Sequence, residues 1–469
     1  MNSKIRTTFS VGIASSISYV TYDINNKIWS DGHTWFTATY QYFLHLFMGS
    51  VGKYSRNKFD NDSMQFNSIQ NELLLLLLDK QKDTVLGQFL KYKDIKNIDE
   101  FRDKIPLTDY DFYKMKYITR IKNGEENIMT KDKVDLLGAT SGTSGYKSLI
   151  PHTPMISKIF FLHGITIVFD GLFSKAFPQA NQLQKTCKLT FQPRWNYTDY
   201  NVKIGPASSS PDDKGFSRLL PLYSSPIEAF RIKNEKAAFY CHILFALNDR
   251  NLGIIEANFA SIVLQFFNMI NENFSHLVDD IENGTINGAK LFGVDENELL
   301  SLQKYLKPNK KRAAELKQIL NTINGKDDNN NGNSSILSLA RSIWPNLHLI
   351  LTVTTGAFKP YAETLNNKYI NDTVPFFSPL YAATEGLIAV NIRPEDDRNA
   401  KYALLPKALF YEFLEVQESD TIHKNVHEEL SKRTLLAHQL QVGSKYELII
   451  TNQAGLVRYR IGVSKLCPP

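Results

Sequence analysis

The chain has 469 residues, of which 43% are hydrophobic and 22% are charged, and its formal net charge is +6. This is the composition of an ordinary globular protein, long enough for one large core or several smaller ones. The charge is mild and no run of basic residues marks a nucleic-acid tail, so nucleic-acid binding is not expected. No stretch is long and apolar enough to span a bilayer.

The three cysteines, Cys187, Cys241 and Cys467, stand far apart and show no paired spacing. Their pattern argues against a disulfide framework and against a four-thiolate zinc site, and predicts a reducing compartment. The first 22 residues carry Lys4 and Arg6, several serines and threonines, and no acidic residue. An organellar presequence has this composition, but an undecorated N-terminus is the preferred interpretation, which predicts a cytoplasmic protein.

In chain order, residues 1–65 are aromatic and polar without clear periodicity, which predicts an N-terminal extension or a small helical cap. From there to about residue 135 the pattern is mostly helical, with a turn at Pro106 and Asp109. A glycine-rich run follows at 138–148. The apolar segment from Met155 to Phe173 is then predicted to be a buried helix.

The second half of the chain contains most of the predicted strands. Branched and apolar residues predict buried strands at 188–192 and 347–353, separated by a helix-rich region at 225–325. The Asn-rich tract 327–335 is predicted to be a disordered surface insertion. The remaining predicted strands are 375–381, 387–392, 409–416, 445–452 and 455–462. Together these elements predict a large α/β architecture with mixed sheets flanked by helices.

The run GATSGTSGYKS, from Gly138 to Ser148, contains three glycines and five serine or threonine residues. It is not a P-loop: with Lys147 and Ser148 as the Lys-Ser pair, the two required glycine positions hold Ser141 and Tyr146. One interpretation is a flexible surface loop. The other is an anion nest, in which backbone N–H groups and hydroxyls surround a phosphate.

Three motifs in order, TSGTSG, YAATEG and GLVRYRIG, resemble those of the Gretchen Hagen family of acyl-acid–amido synthetases, an auxin-responsive branch of the adenylate-forming enzymes. Further blocks resemble the family in the same order. They are FRDKIPLTDYDFYKMKYITRIKNGEENIMT (101–130), LVDDIENGTI (277–286), PNKKRAAEL (308–316) and SIWPNLHLILTVTTGAF (342–358). The resemblance covers roughly residues 70–462.

The resemblance implies a two-step ligase. ATP activates a carboxylic acid as an acyl-adenylate with release of pyrophosphate, and the amine of an amino acid then attacks to form an amide. ATP and Mg²⁺ are the implied cofactors, and the acid and the amino acid are the implied partners. The resemblance also implies an adenylation domain over 66–462, followed by a hinge and a mobile C-terminal domain. The sequence lacks that domain, so residues 463–469 are interpreted as an aberrant tail of a truncated chain.

The resemblance also implies roles for individual residues. Glu385, in YAATEG, would hold Mg²⁺ or orient it at the α-phosphate, and is implied to be catalytic together with Lys147. Tyr381 would stack on adenine, and Thr384 would form a hydrogen bond near the α-phosphate. The other implied nucleotide-binding residues are Thr140, Ser141, Gly142, Thr143, Ser144 and Gly145 around the β- and γ-phosphates, Thr355, Gly356 and Ala357 beside the adenine and acyl group, and Arg460.

Some positions keep alternative interpretations. Tyr381 also fits a plain core aromatic, and Glu385 fits a carboxylate at a helix N-terminus that interacts with the helix dipole. Lys147 stands one position before the family's lysine. Val463 replaces the family's ribose-binding aspartate, which predicts nucleotide binding weaker by about tenfold to several hundredfold.

Two other functions therefore remain open. The first is a non-catalytic nucleotide- or acyl-binding protein. The second is an adenylate-forming enzyme that transfers its acyl group to a thiol, which is less favoured because the blocks match the amide-forming branch better.

Overall fold

A computed structural model describes residues 17–140, 148–208, 210–213, 215–324, 338–394, 400–416 and 427–466, with backbone alone at 173–175, 323–324, 427–429 and 463–466. The Asn-rich tract 327–335 lies outside these ranges, as does most of the glycine-rich run. The predicted site residues outside the described part of the chain are Ser141, Gly142, Thr143, Ser144, Gly145 and Lys147.

Helices dominate the first three quarters of the described chain. Residues 17–25 are helical. The other α-helices with described bounds are Trp35–Met64, Phe66–Gln81, Val85–Phe89, Ile98–Lys104, Tyr110–Tyr113, Thr119–Lys122, Pro154–Ile159, Thr166–Asp170, Phe216–Leu219, Ile227–Phe230, Glu235–Asn248, Ala260–Glu272, Phe274–Asn283, Glu296–Gln303, Lys310–Asn324, Leu339–Ile343, Lys359–Leu365 and His427–Lys432.

A parallel sheet forms the centre of the larger core. Its strands are β3 (Thr186–Leu189), β6 (Ile254–Phe259), β7 (Leu349–Val353) and β8 (Phe376–Phe377), in the order β3-β6-β7-β8. One face packs on helices, including Glu235–Asn248, in a core that contains fully buried Trp344. Strands β7 and β8 are mostly apolar, as is usual for strands of a parallel sheet, whereas β3 and β6 also carry Lys188 and Glu256.

A second sheet carries the glycine-rich run. Strands β1 (Leu136–Ala139) and β2 (Leu149–His152) form an antiparallel hairpin on either side of it. The sheet continues with β5 (Lys203–Gly205), which runs parallel to β1, and with β4 (Asn196–Tyr197). The run is therefore held at both ends by a paired hairpin.

Two antiparallel three-stranded sheets complete the strand-rich part of the chain. The first contains β9 (Leu380–Ala383), β10 (Gly386–Asn391) and β11 (Tyr402–Leu404). The second contains β12 (Phe410–Glu415), β13 (Lys445–Thr451) and β14 (Tyr459–Leu466). Both contribute to a second core with the helices of the first 122 residues and the β1–β2 hairpin.

Several predicted elements are confirmed. Helices occupy much of 66–135, and Asp109 caps the helix that begins at Tyr110 after the predicted turn. The strands predicted at 347–353, 387–392, 409–416 and 445–452 are β7, β10, β12 and β13, with ends that differ by no more than two residues. The fold class, mixed sheets flanked by helices, is confirmed as well.

Three strand predictions were wrong in detail, and strand β6 was not predicted. The segment 375–381 is two strands, β8 and β9, because Pro379 lacks the N–H that a continuous strand would need. The strand predicted at 188–192 ends at Leu189, and β6 was missed inside the helix-rich region. The strand predicted at 455–462 begins only at Tyr459, after a turn with positive φ at Gly455 and Arg458.

The end of the described chain also differs from the prediction. Strand β14 continues to Leu466, where it pairs with Lys445 of β13. The beginning of the segment 463–469, interpreted from sequence as an aberrant tail, is therefore an ordered strand backbone. The hydrogen bonds between paired strands join backbone N–H and C=O groups, which every residue except proline has, so such a segment can extend a strand.

The N-terminal region is helical, as one interpretation held, but it is not small. The helix Trp35–Met64 has 30 residues and lies against the helix Thr166–Asp170. The segment predicted as a buried helix at 155–173 is helical, yet Phe161 is 45% exposed and Leu162 38% exposed, because the helix lies in an outer layer. No described helix combines the length and the apolar character that crossing a membrane requires.

A buried carboxylate organises one of the family-like blocks. Asp280, at the end of a helix, is 2% exposed. It accepts hydrogen bonds from the Tyr240 hydroxyl at 2.8 Å, the Thr285 hydroxyl at 2.5 Å, and the backbone N–H groups of Asn287 at 2.8 Å and Gly288 at 2.9 Å. The carboxylate therefore satisfies four donors that burial would otherwise leave unpaired.

We expect Asp280→Asn to lower the free energy of unfolding by about 2–3 kcal/mol, because an amide nitrogen then faces donors that need an acceptor. Urea denaturation measures this loss. Exposed Asp279, the preceding residue, supplies the control: Asp279→Asn should change stability by less than about 0.5 kcal/mol. Equal effects of the two substitutions would contradict a structural role for Asp280.

Candidate functional site

The two ends of the glycine-rich run are held close together. The backbone N–H of Thr140 donates to the Ser148 carbonyl at 2.9 Å, and the Ser148 N–H donates to the Thr140 hydroxyl at 3.1 Å. The Tyr110 hydroxyl accepts from the Leu149 N–H at 3.0 Å. Thr140 thus closes the neck of the loop, so its side chain is occupied at the base of the loop.

The base of this hairpin contacts the turn that contains Thr384 and Glu385. His152 Nε2 lies 2.5 Å from the Thr384 carbonyl oxygen. A Cβ added at Gly138 would lie 2.8 Å from Thr384 Cγ2 and 3.1 Å from His152 Cδ2. The absence of a side chain at Gly138 therefore permits close packing of the two segments, although they are far apart in sequence.

We expect Gly138→Ala to displace the Thr384 turn and to lower the free energy of unfolding by about 1–3 kcal/mol, since the added methyl overpacks a filled space. The same substitution should weaken binding of a nucleotide held between the two segments, measured by calorimetric titration. Gly215→Ala is the matched control, because a Cβ there meets nothing within 4 Å. If both variants had the stability and the nucleotide affinity of the parent protein, the close approach of Gly138 to the Thr384 turn would not matter for either property.

Glu385 lies in the tight turn between β9 and β10 and is 7% exposed. Its backbone carbonyl accepts from the Asn452 side-chain amide at 2.8 Å, which fixes the turn against the strand-rich sheet. Burial raises the pKa of the Glu385 carboxyl, partly offset by a hydrogen bond from its own backbone N–H. The alternative interpretation of Glu385 as a helix N-terminal carboxylate was wrong, because the residue joins two strands.

Two tyrosines share the surroundings of Glu385. Burial raises the pKa of Tyr381, and the Glu385 charge raises it further. Tyr459 shows the same pattern, with burial first and the Glu385 charge next. No role was predicted for Tyr459 from the sequence. Arg460, in the same motif, was the residue predicted to bind the nucleotide.

Tyr381 connects this turn to the end of the parallel sheet. It is half-buried, and its ring centre lies 6.1 Å from that of Tyr402. The Tyr402 hydroxyl is hydrogen-bonded to Ser378 at 2.6 Å. Burial raises the pKa of Tyr402, and the nearby side chains of Ser378 and Thr355 lower it. Three predicted segments, at 355–357, 381 and 384–385, are therefore joined by this chain of contacts.

The turn after β7 leaves open space above its backbone. Gly356 has φ +62, and a Cβ at that position would meet nothing within 4 Å. Thr355 is half-buried, and Ala357 is exposed. This turn lies at the carboxyl end of a parallel strand, where α/β sheets commonly bind ligands.

Arg460 lies on the other side of its strand. Its guanidinium forms an ion pair with Glu447 of the neighbouring strand, with a shortest distance of 2.7 Å. Because side chains alternate along a strand, Tyr459 turns toward Glu385 and Arg460 turns away from it. The structure therefore does not bring Arg460 together with the other predicted residues, and its nucleotide-binding role stays a prediction.

Two residues near the site, His152 and Tyr459, were not predicted from the sequence. His152 is hydrogen-bonded to the Thr384 carbonyl, and Tyr459 is near enough to Glu385 for the charge of that carboxylate to raise its pKa. Burial lowers the pKa of His152, which favours a neutral ring at this contact. Only the position of Tyr459 inside the RYRIG segment offered a signal.

The donor set around Glu385 suits a magnesium–phosphate complex better than an all-protein metal site. No group of three or more His, Cys, Asp or Glu side chains able to hold a metal occurs among the described residues. Mg²⁺ is often bound by one or two carboxylates together with phosphate oxygens of the substrate. A single buried carboxylate, in a turn packed against the hairpin at the ends of the glycine-rich run, fits that mode.

Comparison with known proteins finds relatives named as amido synthetases or ligases. The chain is 26% identical over 418 residues to indole-3-acetic acid-amido synthetase GH3.17 of Arabidopsis thaliana, covering 84% of this chain and 65% of the relative. It is 25% identical over 410 residues to 4-substituted benzoates-glutamate ligase GH3.12 of the same plant, again covering 84% and 65%. The chain thus spans about two thirds of the length of these curated relatives.

Solved structures show the same fold. The GH3.15 acyl acid amido synthetase matches with a TM-score of 0.71 at 21% identity, covering 87% of this chain and 67% of that one. The GH3 family N-terminal domain matches residues 55–376, and the GH3 family central domain matches residues 402–463. With more than half of its length matched by the first of these domains, the chain belongs to the GH3 family.

Proposed function

We propose that this protein is an ATP-dependent ligase that joins a carboxylic acid to the amine of an amino acid. One observation carries the proposal: the turn of Thr384 and buried Glu385 is packed against the hairpin that carries the glycine-rich loop. This packing supports the assignment of the hydroxyl-rich loop as an anion-binding loop and of Glu385 as a metal ligand of the same site. The relatives named above as amido synthetases and as a glutamate ligase support the same reaction class.

The first step requires charge stabilisation at the triphosphate. A carboxylate oxygen of the substrate attacks the α-phosphorus, and the bond from that phosphorus to the pyrophosphate oxygen breaks. Residues 141–145 would surround the departing β- and γ-phosphates with N–H and hydroxyl donors, Thr140 would hold the base of that loop, and Lys147 would add a positive charge. Glu385 would hold Mg²⁺, which when bound neutralises developing negative charge.

The remaining residues would orient the nucleotide and the acid. The Thr384 hydroxyl would donate to the α-phosphate, and the Tyr381 ring would stack on adenine. Thr355, Gly356 and Ala357 would line the space between adenine and the acyl group, where the positive φ of Gly356 keeps the backbone open. Such positioning converts the reaction of two bound groups into an effectively unimolecular step.

The second step forms the amide. The neutral amine nitrogen of the amino acid attacks the acyl carbon, AMP leaves with the electrons of the acyl–oxygen bond, and the nitrogen loses a proton. The acid and the amino acid are therefore the proposed small-molecule partners. A cytoplasmic location and the absence of nucleic-acid binding stay predictions of the sequence.

Acid-dependent pyrophosphate release by the 469-residue chain tests the proposal. A panel of carboxylic acids is offered with Mg·ATP, and a mixture of amino acids is then added, with amide products identified by mass spectrometry. We expect pyrophosphate release with at least one acid and a matching amide. Pyrophosphate release that never depends on an acid would contradict the proposal.

The alternative is a protein that binds a nucleotide or an acid without reacting. Val463, in place of the family's aspartate, favours it because a charged acceptor for the ribose is lost. Calorimetric titration distinguishes the two functions. Saturable ATP binding with no pyrophosphate release over the whole panel of acids would support the binding protein and exclude the ligase.

A further inference from the structure

An ion pair lies on the face of the parallel sheet opposite the larger core. Lys188 of β3, Glu256 of β6, Leu351 of β7 and Phe377 of β8 are consecutive register partners. Partners in register share one face of a sheet. Lys188 Nζ forms a short ion pair with Glu256 Oε1, and the two side chains are 14% and 32% exposed. A charged pair thus stands in a row that is otherwise apolar.

Two different segments cover the ends of this row. At the β8 end, helical residues Val168 and Leu172 and the following Phe177 pack on Leu349 and Phe377. At the β3 end, the Tyr223 ring lies 5.8 Å from Lys188 Nζ. Glu256 lies on β6, between these two covers, and it is the more exposed member of the pair. The ion pair is therefore partly exposed between the two covers, and this part of the sheet face is called the groove, with the ion pair as its floor.

The groove leads to the proposed catalytic site. A β-bulge between Glu256 and Phe259 places Phe259 opposite Val353 and turns its ring to the groove side of the sheet. Phe259 is 41% exposed and stacks on Phe358 at 4.2 Å between ring centres, with an interplanar angle of 12°. Phe358 follows Gly356 in the turn already assigned to the space between adenine and acyl group. The rim of the groove near the Gly356 turn, formed by Phe259 and Phe358, is therefore aromatic. The floor of the groove carries the ion pair.

A hydrocarbon ligand would displace the water around this ion pair and would not replace the hydrogen bonds that the water makes. Removing water from a charged pair is unfavourable unless new hydrogen bonds satisfy the exposed lone pairs and protons. A hydroxyl group is suited to the pair because it donates to the Glu256 carboxylate and accepts from the Lys188 ammonium. The aromatic rim, by contrast, suits the apolar body of the same molecule.

We propose that this groove binds the acid substrate, and that Lys188 and Glu256 select acids with an apolar body and a hydroxyl group at the end remote from the carboxylate. This inference rests on the proposed ligase function, since the groove is assigned to the acid by its opening at the turn of Gly356. Lys188 and Glu256 are specificity-determining residues and take no part in the chemical steps.

Matched acids test the proposal on the intact 469-residue chain. The pairs are 3-phenylpropanoic acid with its 4-hydroxyphenyl analogue, and hexanoic acid with 6-hydroxyhexanoic acid. Binding is measured by calorimetric titration with a non-hydrolysable ATP analogue present, and kcat/KM by pyrophosphate release with ATP. We expect at least one hydroxy acid to be favoured by about tenfold to a hundredfold, the effect of a hydrogen bond to a charged group.

A double substitution removes the selection without leaving one buried charge unpaired. In Lys188→Met with Glu256→Leu, we expect the preference for the hydroxy acid to vanish or reverse, while affinity for the ATP analogue stays unchanged. The control is Lys317→Met with Glu282→Leu, which removes a more exposed ion pair of 2.6 Å and should leave the preference intact.

The possible failures can be told apart. Pyrophosphate release that is equal for both members of each pair, or a preference that survives the double substitution, overturns the hydroxyl selection and leaves the ligase function standing. Acid binding without pyrophosphate release overturns the ligase function, and the calorimetric preference still decides the selection. Absence of binding for all four acids overturns the groove as their site.

Discussion

Replacing Arg458 with Met is expected to lower the free energy of unfolding by about 3–5 kcal/mol, because the buried Glu412 carboxylate loses its closest cation and keeps the more distant Arg102, at 3.6 Å, as its ion-pair partner. Arg458 is 0% exposed and Glu412 1% exposed. The guanidinium donates to both carboxylate oxygens of Glu412, at 2.9 and 3.0 Å, and to the carbonyls of Ile105 at 2.6 Å and Ser431 at 3.0 Å. With typical stabilities of about 5–15 kcal/mol, this loss is a large fraction of the total.

Urea denaturation of three variants separates the buried charge from other effects. Arg458→Met with Glu412→Leu should be more stable than Arg458→Met alone, because the buried carboxylate that has lost its close cation is removed as well. Arg460→Met supplies the neighbouring control: its pair with Glu447 is more exposed, at 27% and 10%, so we expect a loss nearer 1 kcal/mol. If Arg458→Met lost no more free energy of unfolding than Arg460→Met, the buried ion pair would contribute no more to stability than the more exposed one.

Glu385→Gln is expected to lower kcat/KM for acid-dependent pyrophosphate release by about 100-fold or more. Charge stabilisation by a bound metal contributes several kcal/mol to such a transition state, and each ~1.4 kcal/mol is tenfold in rate. An amide keeps the shape of the side chain but binds Mg²⁺ weakly. Exposed Glu363, whose side chain is 64% exposed, supplies the control, since Glu363→Gln should leave the rate unchanged.

The raised pKa of Glu385 predicts opposite effects on activity and on stability. The carboxylate that binds a cation exists only above the raised pKa, so activity should fall as pH decreases through a value above 4.5. Burial penalises the charged form in the folded state, so this residue stabilises the fold below its unfolded pKa and loses that contribution as pH rises. Glu385→Gln should therefore be as stable as the parent protein at neutral pH, or more stable.

Activity within threefold of the parent protein in Glu385→Gln would contradict the role of Glu385 as metal ligand. A pH–rate profile of the parent protein with no acidic limb above 4.5 would contradict the ionised form as the active one. Both measurements use the same pyrophosphate assay and the same acid, with thermal unfolding recorded at each pH.

The sequence predicted the parts of this fold whose signal is local. The strand predicted at 347–353 is mostly apolar, with His348 and Thr352 as its polar residues, as expected for a strand of a parallel sheet. The strands predicted at 409–416 and 445–452 are rich in apolar and aromatic residues, and both appear as predicted with small shifts at their ends. The glycine-rich run and the YAATEG motif were also recognisable, because their residue types are unusual at that spacing.

Other elements depend on contacts that no local pattern encodes. Strands β1 and β2 have four residues each and are defined by their pairing with one another. Strand β6 runs directly into the helix that begins at Ala260, so its apolar residues merge with the helical pattern. The start of β14 is set by Arg458, whose φ of 43° is maintained by a buried network spread over the chain.

The same limit applies to the candidate site. The approach of Gly138 to Thr384, and the choice of Tyr459 instead of Arg460 as the neighbour of Glu385, both arise from tertiary packing. Alternation along a strand could have separated residues 459 and 460 onto opposite faces. Alternation alone could not predict which of the two faces lies toward Glu385.

Hydrogen exchange in the presence of saturating Mg·ATP tests most directly whether the glycine-rich loop and the Glu385 turn form one nucleotide site. Peptides covering residues 136–152 and 380–391 are followed with and without nucleotide, after calorimetry has established saturation. The proposed site predicts slower exchange in both peptides together, and a smaller change in both for Glu385→Gln. Bound nucleotide that slows exchange elsewhere and leaves these two peptides unchanged would contradict it.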